Sequence, residues 1–207
     1  MSAKTVIVVA GAPRCGSSLL MRMLHRGGLE VVAGLGHVSY EDDRARDIPL
    51  SAAFLRECQG KAVKVLDPHR HQLAREFDYD ILWIHRDTTE QARSMVKFLR
   101  ACGARIVNGR AAVRAIARSI PEDYLAFQRL RPHLAHRVLE LSFERLITEP
   151  RQVAAGVDAF LGRDLDVGAM AASVVFRTPH CLPGMLEVDQ LEADRAVEST
   201  KEGDLWD

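Results

Sequence analysis

The chain has 207 residues, 47% of them hydrophobic, 27% charged and 6% aromatic, which supplies enough apolar material for a buried core and one compact domain over residues 1–207. This composition excludes a mainly disordered chain. Lysine plus arginine and aspartate plus glutamate both number 28, so the formal net charge is zero, whereas a general nucleic-acid binder carries a basic excess. A small anionic ligand stays compatible with that balance, because a few focused donors hold it.

Cys15, Cys58, Cys102 and Cys181 are far apart and form no CxxC, so they read as neither a zinc cage nor a disulfide framework. A reducing, cytoplasmic setting is expected. The apolar stretch Val6 to Ala10 is too short to span a membrane, and no membrane association is expected.

Thr5 to Ala10 is a continuous β-branched run, as in a central strand covered on both faces. Gly11 to Gly16 breaks it, and leucine or methionine at 19, 20, 23 and 24 marks a helix stopped by Gly27 and Gly28. Residues 34–47 read as a charged surface loop, and Pro49 to Cys58 as a short helix. Further strands are predicted at Lys61 to Leu66, Asp80 to His85 and Arg137 to Phe143. Thr88 to Gln91 has capping-box spacing ahead of a helix with Ala92, Met95, Val96 and Leu99 on one face. Residues 110–132 are predicted helical with a break or kink at Pro121, and Thr148 is predicted to cap a helix ended by Gly162. Beyond residue 177 the pattern weakens, and 201–206 reads as a frayed tail anchored by Trp206. Alternation of strands and helices predicts an α/β fold with a mostly parallel sheet.

A glycine-rich turn between a buried strand and a helix presents backbone N–H groups at a helix N-terminus, a geometry that favours phosphate or sulfate. Gly11, Gly16 and Ser18 match the nucleotide triphosphatase pattern GxxxxGK[ST], but Ser17 stands at its lysine, and Arg14 is the nearby cation. Arg86 ends a strand and Ser94 follows in the next helix, a pairing suited to phosphate through a guanidinium fork and a hydroxyl donor.

The run Gly11-Ala12-Pro13-Arg14-Cys15-Gly16-Ser17-Ser18-Leu19 resembles the sulfotransferase superfamily, as do the Arg86/Ser94 pair and the stretch from Leu139 through Glu149-Pro150 to Phe160-Leu161-Gly162. The likeness covers roughly residues 5 to 162 and lies nearest the short bacterial sulfotransferase-like P-loop proteins. It implies a three-layer α/β/α, P-loop kinase-like fold. It also implies transfer of a sulfuryl group from 3′-phosphoadenosine 5′-phosphosulfate to a hydroxyl or amine of a small-molecule acceptor, without a metal. Gly11, Ala12, Pro13, Arg14, Cys15, Gly16, Ser17 and Ser18 would then hold the 5′-phosphate, Arg86 and Ser94 the 3′-phosphate, and Arg14 would neutralise the leaving oxygen.

Many members carry a Lys-Thr-His motif where this chain has Lys64-Val65-Leu66, so the expected histidine base is missing. Glu41, Asp67 and His69, with Asp42 beside them, are the candidates for the proton acceptor. A phosphoadenosine-binding module without turnover, and a nucleotide kinase or triphosphatase, remain as alternatives. His69, His71, His133 and His136 read as polar surface rather than metal ligands. The loop 34–47 and the segment 101–118, with Arg105, Arg110, Arg114 and Arg118 on one side, are the expected acceptor walls, favouring an acidic or phosphorylated acceptor or forming a solvated face.

Overall fold

The structure is a computed structural model, and it describes residues 5–33, 40–71 and 73–175. The predictions for Cys181, for the tail at 201–206 and for part of the loop 34–47 lie outside those residues.

The chain lays down strand β1 (Val6–Ala10), helix α1 (Ser17–Arg26), β2 (Val31–Val32), α2 (Ala52–Glu57), β3 (Ala62–Lys64), β4 (Asp78–His85), α3 (Thr88–Ala101), α4 (Gly109–Leu130), β5 (Ala135–Ser142), α5 (Phe143–Thr148), α6 (Pro150–Leu161) and α7 (Val167–Ala172). The five strands form one sheet in the order β2-β3-β1-β4-β5. Every pairing within it is parallel. The expected three-layer α/β/α class is therefore the observed one, with a sheet that is wholly rather than mostly parallel.

The two-residue period of β1 explains its unbroken apolar run. Ile7 and Val9 enter one core with Leu20, Met21, Leu24, Val157 and Met170, beneath α1, α6 and α7. Val6, Val8 and Ala10 enter the other with Phe54, Leu55, Trp83 and Phe127, beneath α2 and α4. Trp83 of β4 stacks on Phe127 of α4 with ring centroids 4.2 Å apart, fixing the C-terminal half of α4 on the sheet.

Four local expectations are corrected. Asp87, not Thr88, caps α3, its carboxylate accepting from the Glu90 amide at 2.9 Å. The negative charge suits the helix start better than a hydroxyl. Thr148 caps nothing: it ends α5, donating its hydroxyl to the Glu144 carbonyl, and α6 begins at Pro150. A proline at the first helical position needs no capped amide. Pro121 does not break α4, which runs through it on an exposed face where the orphaned carbonyl can meet water. Arg105 precedes α4, so only Arg110, Arg114 and Arg118 share its helical face.

Candidate functional site

Because the sheet is parallel, the turns after β1, β3 and β4 meet at one edge. Backbone bonds join two of them: the Val65 amide donates to Val9 O at 3.0 Å and the Asp67 amide to Gly11 O at 3.4 Å. The turn after β1 requires its two glycines. A Cβ on Gly11 would stand 2.7 Å from the Ile84 carbonyl, and one on Gly16 only 2.3 Å from the buried Phe143 ring. Both also have positive φ, 149° and 105°. The start of α1 has no side-chain cap and no acidic residue in its first turn, so its positive end carries no internal anion. Cys15 is fully buried with its thiol packed inside the turn beside Gly11 and Ser17, and burial pushes its pKa up.

Three predicted binding residues meet on one flank. The Arg14 Nε donates to Ser94 Oγ at 3.3 Å, and Arg86 Nη1 donates to the Arg14 carbonyl at 3.2 Å. The Arg14 guanidinium lies 5.0 Å over the Phe98 ring, and that of Arg86 lies 4.2 Å over Phe143. Each cation thus rests on an aromatic face that orients it without neutralising it. Ser94 and Arg86 are both buried. The turn itself is clamped by Gln91, whose amide donates to the carbonyls of Ala12 and Pro13, both at 2.9 Å. Gln91, placed by capping-box spacing at a helix start, is a buried residue that positions the turn.

On the other flank stands Lys64, which aligns with the lysine of the Lys-Thr-His motif but to which the sequence alone assigns no role in the site. Lys64 Nζ, at the end of β3, donates to Ser18 Oγ at 3.0 Å and to Glu41 Oε1 at 2.8 Å. Its side chain is only 4% exposed. The cation missing from position 17 in the turn is therefore supplied from the neighbouring strand. Burial pushes the Lys64 pKa down, opposed by the Glu41 charge. Burial alone would raise Glu41, yet Lys64 and then Arg46 hold its carboxyl below the ordinary range.

The remaining base candidates sit apart from this pair. Asp42 caps the short 43–46 turn and is bound by Arg44, so it serves structure. Asp67 takes φ +52° beside Gly11 and has Asp123, Arg70 and His71 as its electrostatic neighbours. Its Oδ1 is buried with no hydrogen-bond partner, and burial raises its pKa to about 6. His69 Nδ1 is likewise buried without a partner, while its Nε2 stands 3.6 Å from Asp123 Oδ1. Burial pushes the imidazole pKa down. Among the described residues no three potential ligands are grouped to hold a metal ion, and no helix is long and apolar enough to cross a membrane.

No protein-family profile and no curated protein sequence matches the chain. Solved structures do. The sulfotransferase domain of the Synechococcus PCC 7002 olefin synthase is 19% identical, covering 93% of this chain and 94% of its own length, with a TM-score of 0.52. The sulfotransferase from Alicyclobacillus acidocaldarius is 15% identical, with 95% of this chain and 91% of that one covered and a TM-score of 0.53. The mouse sulfotransferase SULT7A1, solved in complex with PAP, is 15% identical over 84% of this chain and 63% of that one, again with a TM-score of 0.53.

Proposed function

We propose that this chain, which has the sulfotransferase fold, moves a sulfuryl group from 3′-phosphoadenosine 5′-phosphosulfate to a hydroxyl or amine of a small acceptor. The observation that carries the reading is the convergence of Arg14, Arg86, Ser94, Lys64 and Ser18 around one uncapped helix start. Two phosphates need two separated groups of donors, and the two flanks of the turn supply them. The PAP bound in the mouse neighbour supports the same donor class.

The donor brings an activated sulfur with a good phosphate leaving group. The acceptor oxygen or nitrogen forms a bond to that sulfur, the bond from sulfur to the bridging phosphate oxygen breaks, and the acceptor proton leaves for a carboxylate. Arg14 and Lys64 stabilise the charge that grows on the bridging oxygen. Glu41, ionised and within reach of Lys64, takes the proton. As Lys64 turns toward the leaving oxygen its hold on Glu41 weakens, and the carboxylate becomes more basic when the proton arrives. Asp67, tied to Gly11 through its amide, and His69 stand apart from this pair and take no part in the step.

Calorimetric titration of the full chain with PAP, beside ATP with magnesium, tests the donor assignment. Binding of PAP alone supports it, and stronger binding of ATP overturns it. Release of PAP on addition of acceptor mixtures then separates an enzyme from a binding module.

A further inference from the structure

The molecule is neutral overall, yet its charge is not evenly spread. Residues 91–121 hold seven arginines and lysines and no acidic residue. This stretch runs from the first turn of α3 to the middle of α4, two helices packed on each other, with Glu90 before it and Glu122 and Asp123 after it. Arg110, Arg114 and Arg118 recur every fourth residue along α4, so they form one ridge about 12 Å long. Arg105 extends it into the turn between the helices, and all four are exposed.

Several other arginines of the described residues are paired with carboxylates. Arg93 is paired with Glu90, Arg145 with Glu149, Arg137 with Asp80, and Arg44 with both Asp42 and Glu57. None of the four ridge arginines has a carboxylate partner among the described residues. Like charges one helical turn apart repel, so this arrangement disfavours α4 in isolation and is relieved by an external anion. Beside the ridge Val107 is 88% exposed. A large apolar side chain set among cations matches a protein surface with an apolar centre and acidic rim, which a phosphate or a glycan does not offer.

We propose that the Arg105–Arg110–Arg114–Arg118 ridge, with Val107 as its apolar anchor, docks an acidic segment of a partner protein. The four arginines and Val107 are other residues than those of the donor cradle, and the proposal does not rest on the sulfuryl-transfer reading. Its partner is recognised by carboxylates at helical spacing that meet the three α4 arginines, with an apolar residue for Val107.

The test uses the full chain and a fluorescein-labelled amphipathic helical peptide of glutamate and leucine, read by fluorescence anisotropy. A glutamine-for-glutamate peptide, heparin and phosphatidylglycerol vesicles serve as comparators. The glutamate peptide should bind, losing at least about tenfold in affinity between about 50 and about 200 mM salt. The triple variant Arg110→Glu/Arg114→Glu/Arg118→Glu should lower affinity by at least about tenfold, and Val107→Asp by about threefold to tenfold. Circular dichroism reports that both variants are folded. Equal binding of the glutamine peptide, an unaffected triple variant, or binding to heparin or vesicles without binding to the peptide would each overturn the proposal. Absence of PAP binding by the wild-type chain would instead count against the transfer reading, leaving this test intact.

Discussion

The two flanks of the turn after β1 are held by different kinds of contact. On the Arg14, Arg86 and Ser94 flank, orientation comes from a main-chain carbonyl, a hydroxyl and two aromatic faces. On the Lys64 and Glu41 flank, and at Asp67 and His69 beyond it, the groups titrate, and their charges depend on burial and on one another. The first arrangement suits binding that is indifferent to pH; the second suits chemistry in which a proton changes hands.

Substitutions should separate the two. Lys64→Met removes the buried cation and should lower turnover by about 100-fold to 1,000-fold, with PAP affinity, still held by Ser18 and the turn, falling by about tenfold or less. Single-turnover measurement beside calorimetry checks this, and equal losses in both would erase the distinction. Arg86→Ala acts on the other flank. PAP binding should weaken by about 10-fold to 100-fold in calorimetry, the cost of one charge-assisted contact to phosphate. Gln91→Leu frees the carbonyls of Ala12 and Pro13 and should cost about 1–3 kcal/mol in urea unfolding, with PAP affinity down about fivefold.

The smallest effect sharpens the contrast most. Asp67 has a folded-state pKa raised to about 6 from 3.8, so between those values the native state binds more protons than the unfolded one. Stability therefore falls as pH rises through that window, and the loss is complete above it. Asp67→Asn should abolish this slope, becoming more stable than the wild type at neutral pH and matching it near pH 3.8. Urea melts across the window read the difference, and parallel curves for the two proteins would remove Asp67 from the titrating flank.

Much of this architecture was legible in the residues. Thr5 to Ala10 could only be a doubly covered strand, and Gly11 to Ser18 had the composition of an anion-binding turn. Arg86 and Ser94 were legible through their resemblance to the sulfotransferase arginine and serine spacing, at the end of a strand and in the first turns of the next helix. Lys64, although it aligns with the lysine of the Lys-Thr-His motif, and Gln91 were not legible as contacts of the turn, for a shared reason. Lys64 meets Ser18 across 46 residues and Gln91 meets Ala12 across 79, and neither contact leaves a local period or spacing in the chain. The strand register between β1 and β3, which brings Val9 opposite Lys64, is what makes the first contact. The helical path of α3 over the turn makes the second.

The strand order also bears on how the molecule assembles. β1 lies at the centre of the sheet, and its two edges are filled by β3 and β4, with Val8 opposite Val63 on one side and Ile81 on the other. No hairpin joins any neighbouring pair, so every ladder closes a long stretch of chain before it yields a bond. During synthesis the turn after β1 is made before β3 and β4, and its strand stays unpaired on one edge until the β4 residues up to 83 have emerged. Refolding should accordingly be slow for a domain of this size, on the order of milliseconds to seconds, with the turn acquiring its shape only as the centre of the sheet closes.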